Sequence, residues 1–127
     1  MIQALPTKEQ AFDLFFNQFG LFYEENSVPG GQDKPDFPYG TYEVQTGSFG
    51  DEFPISAKWW DRSSSWTPLN AKVHEIEATV AAGRGAIRCV GGGLRFRFGG
   101  AHNGVREDDP ALKSKVLDFT VEFITDK

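Results

Sequence analysis

Between Phe53 and Trp60 the chain alternates, with Phe53, Ile55, Ala57 and Trp59 separated by Pro54, Ser56, Lys58 and Trp60. A period of two sends successive side chains to opposite faces, so this is a strand with the first set on one face. Tyr39–Val44 reads as the strand before it, and the glycine-rich polar stretch Gln45–Glu52 fits a long hairpin loop. Ser63-Ser64-Ser65 carries the chain off the sheet. Thr67-Pro68 predicts a helix start, because the hydroxyl accepts a free amide and proline lacks the amide that would be orphaned. Leu69, Val73, Ile76 and Val80 then form one apolar stripe. Gly83 and Gly85 end the helix, with Arg84 favouring its negative end. The rest of the chain is organised around this block.

Upstream, Thr7 and Gln10 make a capping box, and Ala11, Phe12, Phe15, Phe16 and Phe19 follow at helical spacing before Gly20. So aromatic a face reads as core, with packing on a neighbouring subunit as the sharper alternative. Leu21–Glu24 is either a short strand or the exit from the helix, and Asn26–Pro38 is a loop punctuated by Pro29, Gly30, Gly31, Pro35 and Pro38. Downstream, Ala86–Val90 and Leu94–Phe98 flank Gly91-Gly92-Gly93 as a tight hairpin. Leu94, Phe96 and Phe98 share one face, and Arg95 and Arg97 the other. Gly99–Lys113 reads as a second long loop. Val116–Thr125 alternates with Leu117, Phe119, Val121 and Phe123 inward and Asp118, Thr120 and Glu122 outward. The pattern predicts one α+β domain over residues 1–127, with a mainly antiparallel mixed sheet of about five strands and two helices packed on one face.

Composition narrows the function. A net charge of −5 argues against a duplex nucleic-acid binder, which needs clustered Lys and Arg against phosphates, but permits a protein that lets DNA slide past. The lone Cys89 cannot form an internal disulfide and suits a reducing compartment. No apolar run approaches the roughly 20 residues that span a bilayer, and no signal peptide is evident, so the expectation is a soluble chain made in a cytoplasm, with no membrane partner.

The residues that could carry chemistry read as structural. His74 borders the helical stripe with no nucleophile near it in sequence. His102 with Asp108 and Asp109 is a weak metal set, lacking a second histidine at helical spacing. The glycine run has no Walker lysine or following helix and is a turn. Arg95 and Arg97, with Lys58 and Arg88, could form a basic strip; the plainer reading is cross-strand ion pairs with Glu43, Asp118 and Glu122. An RNA-stacking sheet needs its aromatics on the basic face, whereas here Phe96 and Phe98 alternate to the other. No catalytic residue, cofactor or metal ligand is expected. Trp60, opposite in phase to Trp59, places a large ring outside the core, as subunit interfaces do.

The set Pro38-Tyr39-x-Thr41-Tyr42-Glu43, Gly47-Ser48-Phe49-Gly50-Asp51, Trp60-x-Arg62-Ser63-Ser64-Ser65-Trp66 and Glu122-Phe123-x-Thr125 resembles the tail terminator (tail completion) proteins of long-tailed phages and prophages. The resemblance covers residues 26–125 and departs from the family pattern around Ala101–Lys113. It implies a ring, typically a hexamer, that stops tail-tube growth and offers a docking surface to the neck of the filled head. The implied partners are other copies of the chain, the major tail tube protein and neck or connector proteins, with DNA only passing through the lumen. The implied place is the virion tail, reached from the host cytoplasm during assembly. A head–tail connector or head-completion protein is the alternative within that machine, and a small metal-dependent nuclease using His102, Asp108 and Asp109 the alternative outside it. Trp60, Arg62, Trp66, Phe49, Asp51, Tyr39 and Arg106 are the expected subunit or tail contacts. One interface patch is expected around Trp60 and Arg62, and its complement on the Asn26–Pro38 loop and the Thr46–Glu52 hairpin tip.

Overall fold

The computed structural model describes residues 4–43, 52–105 and 107–125. Helix α1 (Lys8–Asn17) begins with the expected capping box: Gln10 N–H donates to Thr7 Oγ1 at 3.2 Å, and Thr7 N–H to Gln10 Oε1 at 3.0 Å. Strand β1 (Phe22–Glu24) follows, and two short 3-10 turns lead to β2 (Tyr39–Glu43) and β3 (Glu52–Arg62). Helix α2 (Thr67–Ala81) precedes β4 (Ala86–Cys89), β5 (Gly92–Asn103) and β6 (Leu112–Thr125). The fold is α+β, a six-stranded mixed sheet in the order β1-β2-β3-β6-β5-β4 with both helices on one face.

Three expectations need correction. The sheet has six strands rather than about five, because Phe22–Glu24 pairs in parallel with Gly40–Tyr42. A parallel partner lies a whole connection away, so nothing local in the sequence announces it. The segment Gly99–Lys113 is not all loop: β5 continues to Asn103 through a register shift between Phe98 and Gly100, and β6 starts at Leu112. Gly100 holds φ at 130°, which few side chains tolerate, so glycine here makes a bulge rather than ending the strand. Finally, Thr67 is the first helical residue and Trp66 the N-cap, with Ser65 Oγ accepting from the Thr67 amide at 3.4 Å.

One face of the sheet is covered. Ile55, Ala57 and Trp59 of β3, Leu94 and Phe96 of β5, and Leu117, Phe119 and Val121 of β6 are all buried there with Phe12, Phe15 and Phe16 of α1 and Ile76 of α2. Phe15 stacks on Phe96 at 3.8 Å with the planes 4° apart, and meets Phe16, Phe19 and Phe119 edge-on at 5.1, 5.3 and 5.6 Å. Such ring pairs add about 0.5–1.5 kcal/mol each beyond their burial. The α1 face is therefore core within one copy, as its spacing predicts.

Trp59 joins four elements. Its ring is 4% exposed, lies 5.2 Å from Phe22, and packs against Gly20 at the end of α1. Gly40 stands between Phe22 and Trp59 in the ladder, and a Cβ there would come within 2.2 Å of the Phe22 ring, so only glycine lets that ring cross to Trp59. From α2, Lys72 Nζ sits 4.7 Å from the centre of the Trp59 ring and donates to Phe19 O and to Glu75 Oε2. One ammonium thus ties the end of α1 to α2 across an aromatic face. Tyr42 stacks on Phe16 at 4.6 Å and donates its hydroxyl to Asp13. Burial first, and that carboxylate second, push its phenol well above the ordinary value, so it stays a donor at any physiological pH.

Candidate subunit-contact surface

Among the described residues, neither α-helix covers the opposite face of the sheet. Its charged positions pair across the strands: Arg95 with Glu122 at 2.9 Å, Arg97 with Glu52, and His102 Nδ1 with Asp118 Oδ2 at 3.6 Å. Two members of the expected basic strip, Arg95 and Arg97, are thus held in ion pairs, worth well under about 1 kcal/mol each at such exposure, while Lys58 stands over the Trp60 ring.

At the β1–β2–β3 end this face becomes aromatic. Tyr39 and Trp60 are direct cross-strand neighbours, and Arg62 lies two residues along on the same side. The Phe37 ring stacks on Tyr39 at 5.3 Å and 21°, and Tyr23 meets Tyr39 at 6.2 Å and 77°. The Arg62 guanidinium stands 5.6 Å from the Phe37 ring centre, and Lys58 Nζ stands 5.8 Å from that of Trp60. Tyr23, Phe37, Tyr39 and Trp60 are all half-buried. Lys34, Pro35, Asp36, Phe37 and Arg62 line an open cleft of about 480 Å³ beside them.

Arg62 is held as well as stacked. It pairs with Asp109, whose Oδ1 accepts from the Ala111 amide at 3.0 Å. That backbone amide, and then the Arg62 and Lys113 charges, hold the Asp109 carboxyl below its ordinary 3.8. Ser63 N–H donates to Ala111 O at 2.7 Å, and Lys113 Nζ to Ser63 O at 2.7 Å and Pro110 O at 2.8 Å. The turn before β6 is thereby stitched to the end of β3.

Of the expected contacts, Tyr39, Trp60 and Arg62 come together. Trp66 does not join them. Its ring lies 5.1 Å from Lys115 Nζ and 6.0 Å from Lys113 Nζ. The ladder puts those lysines opposite Trp59 and Asp61, in phase with the covered face rather than with Trp60. Phe49, Asp51 and Arg106, and the hairpin tip as far as Asp51, lie outside the described residues. Phe37 and Tyr23 were missed. Tyr23 sits out of phase with buried Phe22 just as Trp60 does with Trp59, a signal available once β1 is known to be a strand. The loop part of the second expected patch also lies beside the first, because Phe37 packs on Tyr39 and faces Arg62.

The candidate metal set is divided. His102 sits on β5 opposite Val116 and faces Asp118, while Asp109 is bound by Arg62 and Ala111. Among the described residues no three His, Cys, Asp or Glu side chains converge on one point. His74 is exposed on α2, and Cys89 is buried. No helix among the described residues is long and apolar enough to cross a membrane. No known family model, curated protein or solved structure matches the chain.

Proposed function

We propose that this chain is a structural subunit of a long-tailed phage, forming a ring, a hexamer by its resemblance to tail terminators, that stops tail-tube polymerisation and presents a docking surface to the neck. The observation that carries the reading is the Tyr39–Trp60–Arg62 surface. It gathers rings and a guanidinium, the groups that dominate interface energy, on the sheet face opposite both described α-helices. Tyr39, Trp60 and Arg62 are also among the residues through which the sequence resembles that family. An acidic chain, at net −5, suits a channel through which DNA moves, since attraction to phosphates would retard transit.

The partners in this reading are other copies, the tube protein and the neck, in the virion tail. Deleting the gene from its phage and imaging the particles tests it. Overlong tails are expected. Tails of normal length detached from heads would instead assign the chain to the neck as a connector, and unchanged particles would remove it from the tail altogether.

A further inference from the structure

With the loop and the Trp60 face forming one surface, the complement must lie elsewhere on the chain. An open groove of about 910 Å³ runs along the outer side of α1, lined by Ala4 and Pro6 of the N-terminal segment and by Asp13, Leu14 and Asn17 of the helix, among others. Leu14 is 54% exposed, on the side of α1 away from buried Ala11, Phe12, Phe15 and Phe16, and Leu5, between two lining residues, is 43% exposed. The N-terminal wall is held in place by the capping box and by the Val90 amide, which donates to Pro6 O at 2.8 Å.

We propose that the aromatic–arginine surface of one copy seats in the α1 groove of the next, a head-to-tail contact between copies of this chain. The proposal supplies the contact that the ring reading requires and rests on it. Three features fit a second copy. The surface lies on the open sheet face and the groove on the outside of the helix layer over the other face, so one copy can use both at once. That is the condition for a heterologous contact that propagates and closes. The charges are complementary in part: Lys34 and Lys58 border the aromatic surface beside Asp36, and Arg62 there is already paired with Asp109, while the groove's described lining includes the Asp13 carboxylate and no Lys or Arg. Tyr42 donates to one oxygen of Asp13, and a carboxylate accepts at two. The apolar parts match as well, rings against the exposed Leu14.

The test uses two exposed-face substitutions, Trp60→Ala and Leu14→Arg, with circular dichroism to show that each variant folds. Each alone should shift wild-type oligomer to monomer in size-exclusion chromatography with light scattering, association weakening by roughly 30-fold or more for loss of a hot-spot ring. Mixed in equal amounts, the two should form a dimer and stop there. The Trp60→Ala copy keeps its groove and the Leu14→Arg copy keeps its rings, which leaves one good contact between them. A mixture that stays monomeric, or a Leu14→Arg chain that assembles like wild type, overturns the proposal while leaving the ring reading in place. A wild-type chain that is monomeric at every concentration also overturns it and leaves the groove to a different protein; tail length in the deletion phage then decides the function separately.

Discussion

Trp59 and Trp60 are consecutive residues of one strand with opposite surroundings. Trp59 is 4% exposed and is gripped by Phe22, Gly20 and Lys72 from three other elements. Trp60 is half-buried, next to Tyr39 across the ladder and Lys58 along it, on the face away from the helix-covered core. The same indole closes the core in one case and remains available to a partner in the other, and the pleat alone separates the two roles. Residue type therefore says little about role until strand phase is known.

The sharpest way to break the comparison is to truncate both rings. Trp59→Ala should cost about 3–5 kcal/mol, because four elements lose a shared contact and leave a cavity, whereas Trp60→Ala should cost about 1 kcal/mol or less. Urea unfolding of the two variants measures this, and equal losses would abolish the distinction. A smaller effect isolates the cation over the buried indole. Lys72→Met keeps most of the aliphatic stem but loses the bond to Phe19 O and the charge over Trp59, and should cost about 1–2 kcal/mol. A cost indistinguishable from zero would mean the stem alone secures α2.

The smallest effect belongs to the exposed side. Asp109 has a folded-state carboxyl value below its ordinary 3.8, so its contribution to stability is fully present above that value and fades as pH falls through the lower, folded one. Asp109→Asn should be slightly less stable than wild type at neutral pH, and the two unfolding midpoints should converge below pH 3.8. A gap that persists in acid would assign the loss to geometry rather than charge.

The phase of β3 and β6 was legible because each carries an unbroken alternation with large apolar residues on one side. The α1 face was legible because five apolar positions fall at helical spacing after a capping box. The parallel β1–β2 pair was not, since three residues hold no period and the partner sits beyond a loop. Nor was the full length of β5, where Gly99-Gly100 looks like a terminus and acts as a bulge. For the contact surface, Trp60 could be read from alternation and Phe37 could not, because its place depends on how the loop returns to the sheet.

That return has a consequence for how the chain can vary. The Glu24–Tyr39 segment is clamped at both ends by the parallel register, Phe22 against Gly40 and Glu24 against Tyr42. Closing a longer flexible loop between fixed ends costs only about 0.6 kcal/mol per doubling of its length. Insertions among Asn26–Asp36 would leave Tyr39 opposite Trp60 and reshape only the rim beside them. Related chains could change the size of this rim, and with it the neighbour they accept, without re-registering a single strand.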